Sequence, residues 1–284
     1  MKIGIGFTYN FENPSKNSEM LFKLREVGFD AIDFDMVSTE TDFYKLNKEE
    51  LNKLLDIIKS EIKAAGLFVS QVHGPWIWPP KRDASVEGRL ERMEKMKKSI
   101  EICSLLGSKY WVVHPVMPFG CDNVPPETKE ETYKINKEFF TELTKFAESK
   151  KVVIAYENMP FSTFPISAPD KILSLIKLID SDYFKMCFDT GHANLVMNGS
   201  LYDNIKKIGK ELKVLHVHDN NGKGDYHKFP YDGIIDWQEF MKALKEINYE
   251  GVFSLETLFK NTFGTKEYDE ELKYLYATAK KLTE

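Results

Sequence analysis

The stretch KVVIAYENMPFSTFPISAPDKI, residues 151–172, carries the pattern that decides the fold. An apolar run ends in Glu157, a polar loop follows, and a helix then begins with Pro169 and Asp170 in its first turn. Proline suits the first helical position because its φ angle is already helical, and a negative charge there opposes the helix dipole favourably. The stretch is therefore typical of a buried strand followed by an α-helix, which is the repeating unit of a parallel sheet.

The same unit recurs from one end of the chain to the other, with no linker and no low-complexity segment between the copies. Eight strands in strict alternation with eight helices in a chain of 284 residues predict an α/β protein, a single-domain (β/α)8 TIM barrel over residues 1–284. The predicted strands lie in KIGIGF (2–7), DAIDFD (30–35), LFVSQVHGP (67–75), KYWVVHP (109–115), KVVIAYENMP (151–160), YFKMCFDTGHA (183–193), LKVLHVHD (212–219) and GVFSLET (251–257). The predicted helices cover about 17–27, 48–65, 85–106, 126–149, a segment from about 167, 201–208, 237–247 and 267–282.

A doubly wound open sheet is the alternative fold. Such sheets usually carry a G-x-G-x-x-G phosphate turn after the first strand, and GIGFTYN (4–10) has Tyr9 at the third glycine position. The barrel is therefore preferred.

The composition argues against a protein that binds nucleic acid or a membrane through its overall charge, and against one that spans a membrane. The net charge of −5 gives no whole-molecule basic field for nucleic acid or an anionic membrane, and no apolar run approaches the roughly 20 residues that a membrane span needs. The three cysteines, Cys103, Cys121 and Cys187, are odd in number and form no C-x-x-C pair, which indicates free thiols in a reducing compartment. The N-terminal residues do not resemble a signal peptide, so we expect the cytoplasm.

Polar residues concentrate where barrel enzymes carry out their chemistry, at the carboxyl ends of the strands. A single histidine there is more often a hydrogen-bonded core residue than a ligand, and a single acid often caps the next helix, an interpretation that stays open for Asp189 and Asp225. Glu157 and Glu256 end apolar strands, however, and a buried carboxylate without a partner is costly. A cation shared by these two glutamates and several of the imidazoles is the simplest explanation, and the polar residues at the strand ends form one candidate set. The set consists of all six histidines and four carboxylates: His73, His114, His192, His216, His218, His227, Glu157, Asp189, Asp225 and Glu256.

The mixture of imidazole and carboxylate side chains limits which metal ions are expected. Imidazole with carboxylate suits Zn²⁺, Mn²⁺, Co²⁺ or Fe²⁺ better than Ca²⁺ or Mg²⁺. Mn²⁺ and Zn²⁺ are the leading candidates, Co²⁺ is a further one, and the sequence does not choose between them.

These residues resemble a known group. The segments QVHGPW, WVVHP, AYENMP, CFDTGHAN, LHVHDNNGKGDYHKFPYDGIIDW and FSLET are similar to those of the xylose isomerase-like TIM-barrel superfamily, over essentially the whole chain. That superfamily includes sugar phosphate isomerases and epimerases, ketose 3-epimerases, inosose dehydratases and endonuclease IV.

The epimerase branch implies one divalent metal held by Glu157, Asp189, His216 and Glu256. It also implies that the two glutamates act as acid and base on opposite faces of a sugar, sugar phosphate or cyclitol, through a metal-stabilised enediolate. The resemblance further implies a homo-oligomer and a small-molecule sugar substrate.

The endonuclease IV branch is the alternative, a zinc-dependent AP endonuclease or phosphodiesterase with three zinc ions. Its nine ligand positions have counterparts of the right type, which makes His73, His114, His192, Asp225 and His227 candidates for further metal ligands or for substrate contacts. The segments after two strands fit this branch less well, since NMPFSTFP (158–165) and HVHDNN (216–221) differ from its pattern. We therefore prefer the isomerase branch, and no nucleic acid partner.

Three further expectations concern the surroundings of the metal. His218 lies two residues beyond His216 and is a candidate for substrate contact, while Asp219 is expected to anchor the following loop. Trp76, Trp78 and Phe161 are candidates for an apolar wall against the sugar.

A non-catalytic sugar-binding barrel is a third hypothesis for the function, which the presence of both glutamates disfavours.

Overall fold

A computed structural model of the protein describes residues 1–77, 79–197 and 199–284. The strands are β1 (Ile3–Thr8), β2 (Ala31–Asp35), β3 (Phe68–His73), β4 (Tyr110–Val113), β5 (Val153–Glu157), β6 (Phe184–Asp189), β7 (Leu212–His216) and β8 (Phe253–Leu255). They form one parallel sheet in the order β7-β6-β5-β4-β3-β2-β1-β8.

The two end strands of the sheet meet and close the barrel. The Val217 N–H, directly after β7, donates to the Ser254 carbonyl of β8 at 2.8 Å, and the Glu256 N–H donates to the Val217 carbonyl at 3.1 Å. Because the ends of the sheet are joined, the open doubly wound alternative is excluded and the predicted (β/α)8 barrel is confirmed.

The helices surround this sheet, and along the chain each lies between two strands except α10, which follows β8. They are α1 (Ser15–Val27), α2 (Asp42–Lys45), α3 (Lys48–Ala64), α4 (Val86–Leu105), α5 (Lys129–Ser149), α6 (Pro169–Ile179), α7 (Thr190–Val196), α8 (Leu201–Ile208), α9 (Trp237–Glu246) and α10 (Lys266–Thr283). The short α2 and α7 were not predicted, and the predicted start at Pro126 is a 3₁₀ turn before α5. None of the described helices has the length and apolar character to cross a bilayer.

Local capping explains where several helices begin. The Asn47 side chain accepts hydrogen bonds from the backbone N–H groups of Glu49 and Glu50, and the Glu50 carboxylate accepts one from the Asn47 N–H, which completes a capping box before α3. The Ser85 side chain caps α4 in a simpler way, by accepting from Gly88 N–H. These caps fix the residues at which α3 and α4 begin, and therefore where the loops before these helices end.

Four of the candidate residues lie at the same height along the barrel axis, just above a cluster of apolar side chains. A buried apolar cluster of Val112, Ala155, Cys187 and Val214 comes from β4 to β7. Side chains on a strand alternate between its faces, so the residues two positions further along point the same way, one step nearer the carboxyl end. Those residues are His114, Glu157, Asp189 and His216. The apolar cluster is therefore the floor beneath the polar centre.

Candidate metal centre

His216 is the focus of the polar centre. Its Nδ1 atom lies 2.9 Å from Glu157 Oε1 and 3.0 Å from Glu256 Oε2. The His216 and Glu157 side chains are buried, whereas the Glu256 side chain is 33% exposed. The two glutamates, from well-separated strands, thus converge on one nitrogen, and Glu256 is the one that opens to solvent.

The electrostatics of this group follow from its burial. Burial alone raises the pKa of Glu157 and of Glu256, but the neighbouring His216 charge outweighs it, and the pKa of both carboxyls lies below the ordinary range. The pKa of His216 is raised well above its ordinary value, because the nearby negative groups outweigh the opposing effect of burial. Both glutamates are therefore carboxylates at neutral pH.

Asp33 is a member of the site that sequence reasoning missed. Its Oδ2 lies 2.9 Å from His216 Nε2 and accepts a hydrogen bond from Gln71 Nε2 at 2.8 Å. Such a contact fixes the ring orientation and the tautomer of a metal-binding histidine. The available signal was an acid in the middle of the apolar run DAIDFD (30–35), since a buried strand seldom carries an unpaired charge.

His73 and His114 form a second group around the other oxygen of Glu157. His114 Nε2 lies 3.0 Å from Glu157 Oε2, and His73 Nε2 lies 3.4 Å from it. Burial lowers the pKa of His114 to about 4, against the attraction of Glu157. Burial also lowers the pKa of His73, but Glu157 outweighs it and the pKa rises to about 9. At neutral pH, His73 is therefore the protonated imidazole and His114 the neutral one of the two that face this carboxylate.

A third group lies on the other side of Asp189. Asp225 Oδ2 is 3.1 Å from His192 Nε2 and 3.2 Å from His227 Nε2. His218 Nε2 lies 3.0 Å from Asp189, and its ring stacks on that of His227 with centroids 4.0 Å apart. His218 is fully buried in this group and faces the carboxylates, so it is one of the side chains that could hold a metal ion there.

Asp189 has the capping role that the sequence left open, while its role as a metal ligand stays a prediction. One of its oxygens accepts a hydrogen bond from the His192 N–H at 2.6 Å, which caps α7. The same carboxylate belongs to the group around His216. Asn158 is a second residue that sequence reasoning missed. Its side-chain amide holds the backbone of Asp189, since it donates to the Asp189 carbonyl and accepts from the Asp189 N–H.

The loop that carries Asp225 and His227 is built around Asp219. The Asp219 carboxylate accepts five hydrogen bonds, from the backbone N–H groups of residues 220, 231, 234 and 235 and from Trp237 Nε1, so the predicted anchor is observed. His227 has a φ of +44°, an uncommon backbone conformation for a residue other than glycine. Its Nδ1 lies 2.9 Å from the Glu256 carbonyl, so the loop is tied to β8.

The donor set fits a divalent cation. Glu157 Oε2 and Glu256 Oε2 are buried and make no hydrogen bond among the described residues, although imidazole nitrogens lie 3.0 Å away. Buried carboxylate oxygens in that state are costly, and a shared cation would satisfy them. The groups that bring ligand atoms within 4.8 Å of one another include Glu157–Asp189–His216–Glu256, His73–His114–Glu157 and His192–His218–Asp225–His227. All four predicted ligands and all six further candidates for metal or substrate binding belong to these groups.

A cavity of about 620 Å³ opens beside Glu256 and His73, a size that suits a small-molecule ligand. Its apolar lining includes Phe7, Phe259 and Phe263, which sequence reasoning did not select.

Two of the side chains predicted to form a sugar wall lie elsewhere. Trp76 packs edge-on against His114 with ring centroids 4.6 Å apart, and Phe161 is partly buried against the core. Trp78 lies outside the described residues. The role of these three side chains as a sugar wall stays a prediction.

Comparison with known proteins gives the family. The family model for the xylose isomerase-like TIM barrel matches residues 21–278. An uncharacterized protein of Methanocaldococcus jannaschii is 31% identical over 278 residues, covering 95% of this chain and 89% of that protein. An inosose isomerase of Bacillus velezensis is 28% identical over 205 residues, which are 70% of this chain and 69% of the relative.

Solved structures agree with this assignment. A D-tagatose 3-epimerase-like protein superposes with a TM-score of 0.74 at 26% identity, covering 100% of this chain and 98% of that one. The IolI protein with a bound zinc atom has a TM-score of 0.74 at 22% identity, covering 100% and 96%, and shows the shared fold. The chain belongs to the xylose isomerase-like TIM barrel family.

Proposed function

We propose that this protein is a divalent-metal-dependent isomerase or epimerase that acts on a sugar, a sugar phosphate or a cyclitol. The observation that carries the proposal is the convergence of Glu157 and Glu256 on His216 Nδ1, at 2.9 and 3.0 Å, beside a cavity of small-molecule size. The relatives described as inosose isomerase and as D-tagatose 3-epimerase-like support this class of reaction.

Glu157, Asp189, His216 and Glu256 would hold the catalytic ion, with Zn²⁺ or Mn²⁺ preferred and Co²⁺ as a substitute. The zinc in the IolI structure supports a divalent metal. When bound, the ion would polarise the substrate carbonyl and stabilise the negative charge that develops on its oxygen.

The chain's own contribution is proton transfer at carbon. A C–H proton needs a positioned base, and a carboxylate that is ionised at neutral pH can accept it. Glu256, which is partly exposed beside the cavity, and Glu157, which reaches the same centre from β5, are the two groups in place to remove and to return that proton. Asp33 keeps the His216 ring fixed while they act.

The test is hydrogen exchange in D₂O. Metal-loaded protein is incubated with a panel of ketoses, their phosphates and inososes, and deuterium at each carbon is followed by NMR and mass spectrometry. We expect Glu157→Gln and Glu256→Gln to abolish exchange at the carbon that the wild type labels. Glu12→Gln, which changes an exposed carboxylate in the β1–α1 loop, serves as the control and should exchange normally. Wild-type exchange rates in both active-site variants would refute the acid/base assignment.

A metal-dependent phosphodiesterase is the second candidate, and the additional ligand groups favour it. Besides the group around His216, the groups His73–His114–Glu157 and His192–His218–Asp225–His227 offer further cation sites. Adjacent cations can activate a hydroxide and stabilise both oxygens of a phosphoryl transfer. Three zinc ions per purified chain together with cleavage of an abasic oligonucleotide would favour this candidate. One ion per chain and no cleavage would eliminate it.

A further inference from the structure

A buried ion pair lies behind β4, outside the ligand groups. Arg92 of α4 donates from Nη1 to Asp83 Oδ2 at 2.6 Å, and the two side chains are 10% and 4% exposed. Asp83 belongs to a short 3₁₀ turn before α4. Burying both charges removes them from water, which offsets much of their attraction, so a buried pair is by itself a weak source of stability.

The same pair is bonded to the backbone that carries a predicted ligand. Arg92 Nη2 donates to the His114 carbonyl at 2.9 Å, and Arg92 Nη1 donates to the Pro115 carbonyl at 3.0 Å. Asp83 Oδ2 accepts from the Met117 N–H at 2.8 Å. The pair therefore holds the first turn of chain after β4 at three backbone groups, beginning with that of His114.

The chemistry of arginine suits this task. Its planar guanidinium presents several donors at fixed angles, so one side chain can bond two adjacent carbonyls and a carboxylate together, which the single ammonium of lysine does less well. The opposite side of the same segment is held by Asn136, whose amide donates to the Val116 carbonyl at 2.8 Å and accepts from the Val116 N–H at 3.0 Å. The backbone from His114 to Met117 is thus fixed from α4 and from α5.

We propose that Arg92 and Asp83 are positioning residues for the metal group of His73, His114 and Glu157. The inference rests on the proposed function, since it requires that the centre binds a divalent cation. None of the hydrogen bonds of Arg92 reaches Glu157 or a histidine side chain. Arg92 acts instead on the backbone of His114, and so sets the position of the His114 ring, whose Nε2 lies 3.0 Å from Glu157 Oε2. Partners that hydrogen-bond to a ligand side chain change metal affinity about 10- to 100-fold when they are removed, and we expect an effect of that order for a partner of the ligand's backbone.

The test is a Co²⁺ titration of the full chain, read by visible absorption and by bound metal per chain, with thermal unfolding measured in parallel. His114→Ala identifies the class of sites that needs His114. We expect Arg92→Lys to weaken that class about 10- to 100-fold and to leave the remaining sites unchanged. Arg89→Lys is the matched control, because Arg89 lies on the same helix and bonds the Asp83 carbonyl at 2.7 Å, but bonds no backbone group after β4 in the described structure.

The outcomes separate the two proposals. Wild-type protein that binds no Co²⁺ would overturn the proposed function and this inference together. Wild-type binding with unchanged affinities in Arg92→Lys, even if the variant unfolds at a lower temperature, would overturn this inference alone. If Arg92→Lys does not fold, Asp83→Asn is titrated instead. It keeps the side-chain volume but removes the counter-charge of Arg92, and a selective loss in the His114-dependent class supports the inference whereas unchanged affinity refutes it.

Discussion

His216 Nε2 lies 2.9 Å from Asp33 Oδ2, although the two residues are 183 positions apart in the chain. Both side chains are buried, and the opposite ring nitrogen of His216 faces Glu157 and Glu256. The carboxylate on β2 thereby sets which nitrogen of the β7 histidine is directed at the two glutamates. One contact across the barrel decides the orientation of the central histidine.

Asp33→Asn is expected to weaken divalent-metal binding about 10- to 100-fold, because the neutral amide no longer holds the His216 ring as firmly. Isothermal titration with Zn²⁺ or Mn²⁺ measures the change. Asp35→Asn is the control, since Asp35 is on the same strand but accepts from Thr8 and from the Val37 N–H instead. Equal affinities of Asp33→Asn and wild type would contradict the positioning role of Asp33.

Stability of the metal-free protein is expected to fall as the pH rises above about 6.5. The pKa of His73 is raised to about 9 and that of His192 to about 10, because carboxylates outweigh the opposing effect of burial, and that of His227 is likewise raised to about 9. A folded-state pKa above the unfolded value of about 6.5 gives stability that is fully present below pH 6.5 and lost as the pH rises through 9 to 10.

On the acid side, two effects lower the stability as the pH falls. His114, with its pKa lowered to about 4, contributes stability that is lost as the pH falls from about 6.5 to 4. The lowered pKa values of Glu157 and Glu256 act in the same direction below about pH 4.5. Thermal unfolding between pH 4 and pH 10 should therefore show a maximum near pH 6.5 in chelator, and saturating Zn²⁺ should flatten its alkaline side. A metal-free profile that stays level from pH 6.5 to 10 would refute this account.

Asp219→Asn is expected to destabilise the fold by about 2–3 kcal/mol, because an amide group would face donors that now share a charged acceptor. The affected segment includes the loop that carries Asp225 and His227, so metal binding there should weaken as well. Urea unfolding of the metal-free variant gives the free energy of unfolding. Asp232→Asn, an exposed change in the same loop, should stay within about 0.5 kcal/mol of wild type.

Gly191→Ala is expected to disturb the group of His192, His218, Asp225 and His227. A Cβ atom on Gly191 would lie 2.0 Å from His218 Cε1, so the imidazole has to move. Overpacking of this kind costs about 1–3 kcal/mol, and the displaced ring should lower the number of metal ions bound per chain. Elemental analysis after dialysis reads the metal content. Gly6→Ala, where a Cβ meets nothing within 4 Å, is the control, and unaltered metal content in Gly191→Ala would show that His218 is not required.

The convergence of the candidate ligands was predictable because their signal is local. His73, Glu157 and His216 each end an apolar strand, and the carboxyl ends of parallel strands meet at one face of a barrel. Identifying the strands was therefore enough to predict that these side chains converge. The helix starts at Lys48 and Val86 were predictable within two residues for a similar reason, since their capping residues lie next to them in the chain.

By itself, the sequence determined the barrel and the ten side chains of its polar centre, through strict alternation of strands and helices and through residue types at strand ends. Only the tertiary structure decided that Asp33 orients His216, that Arg92 holds the backbone of His114, and that Phe259 and Phe263 line the cavity. These relationships join elements far apart in the chain. They depend on strand register and on how helices pack against the sheet, which no local pattern specifies.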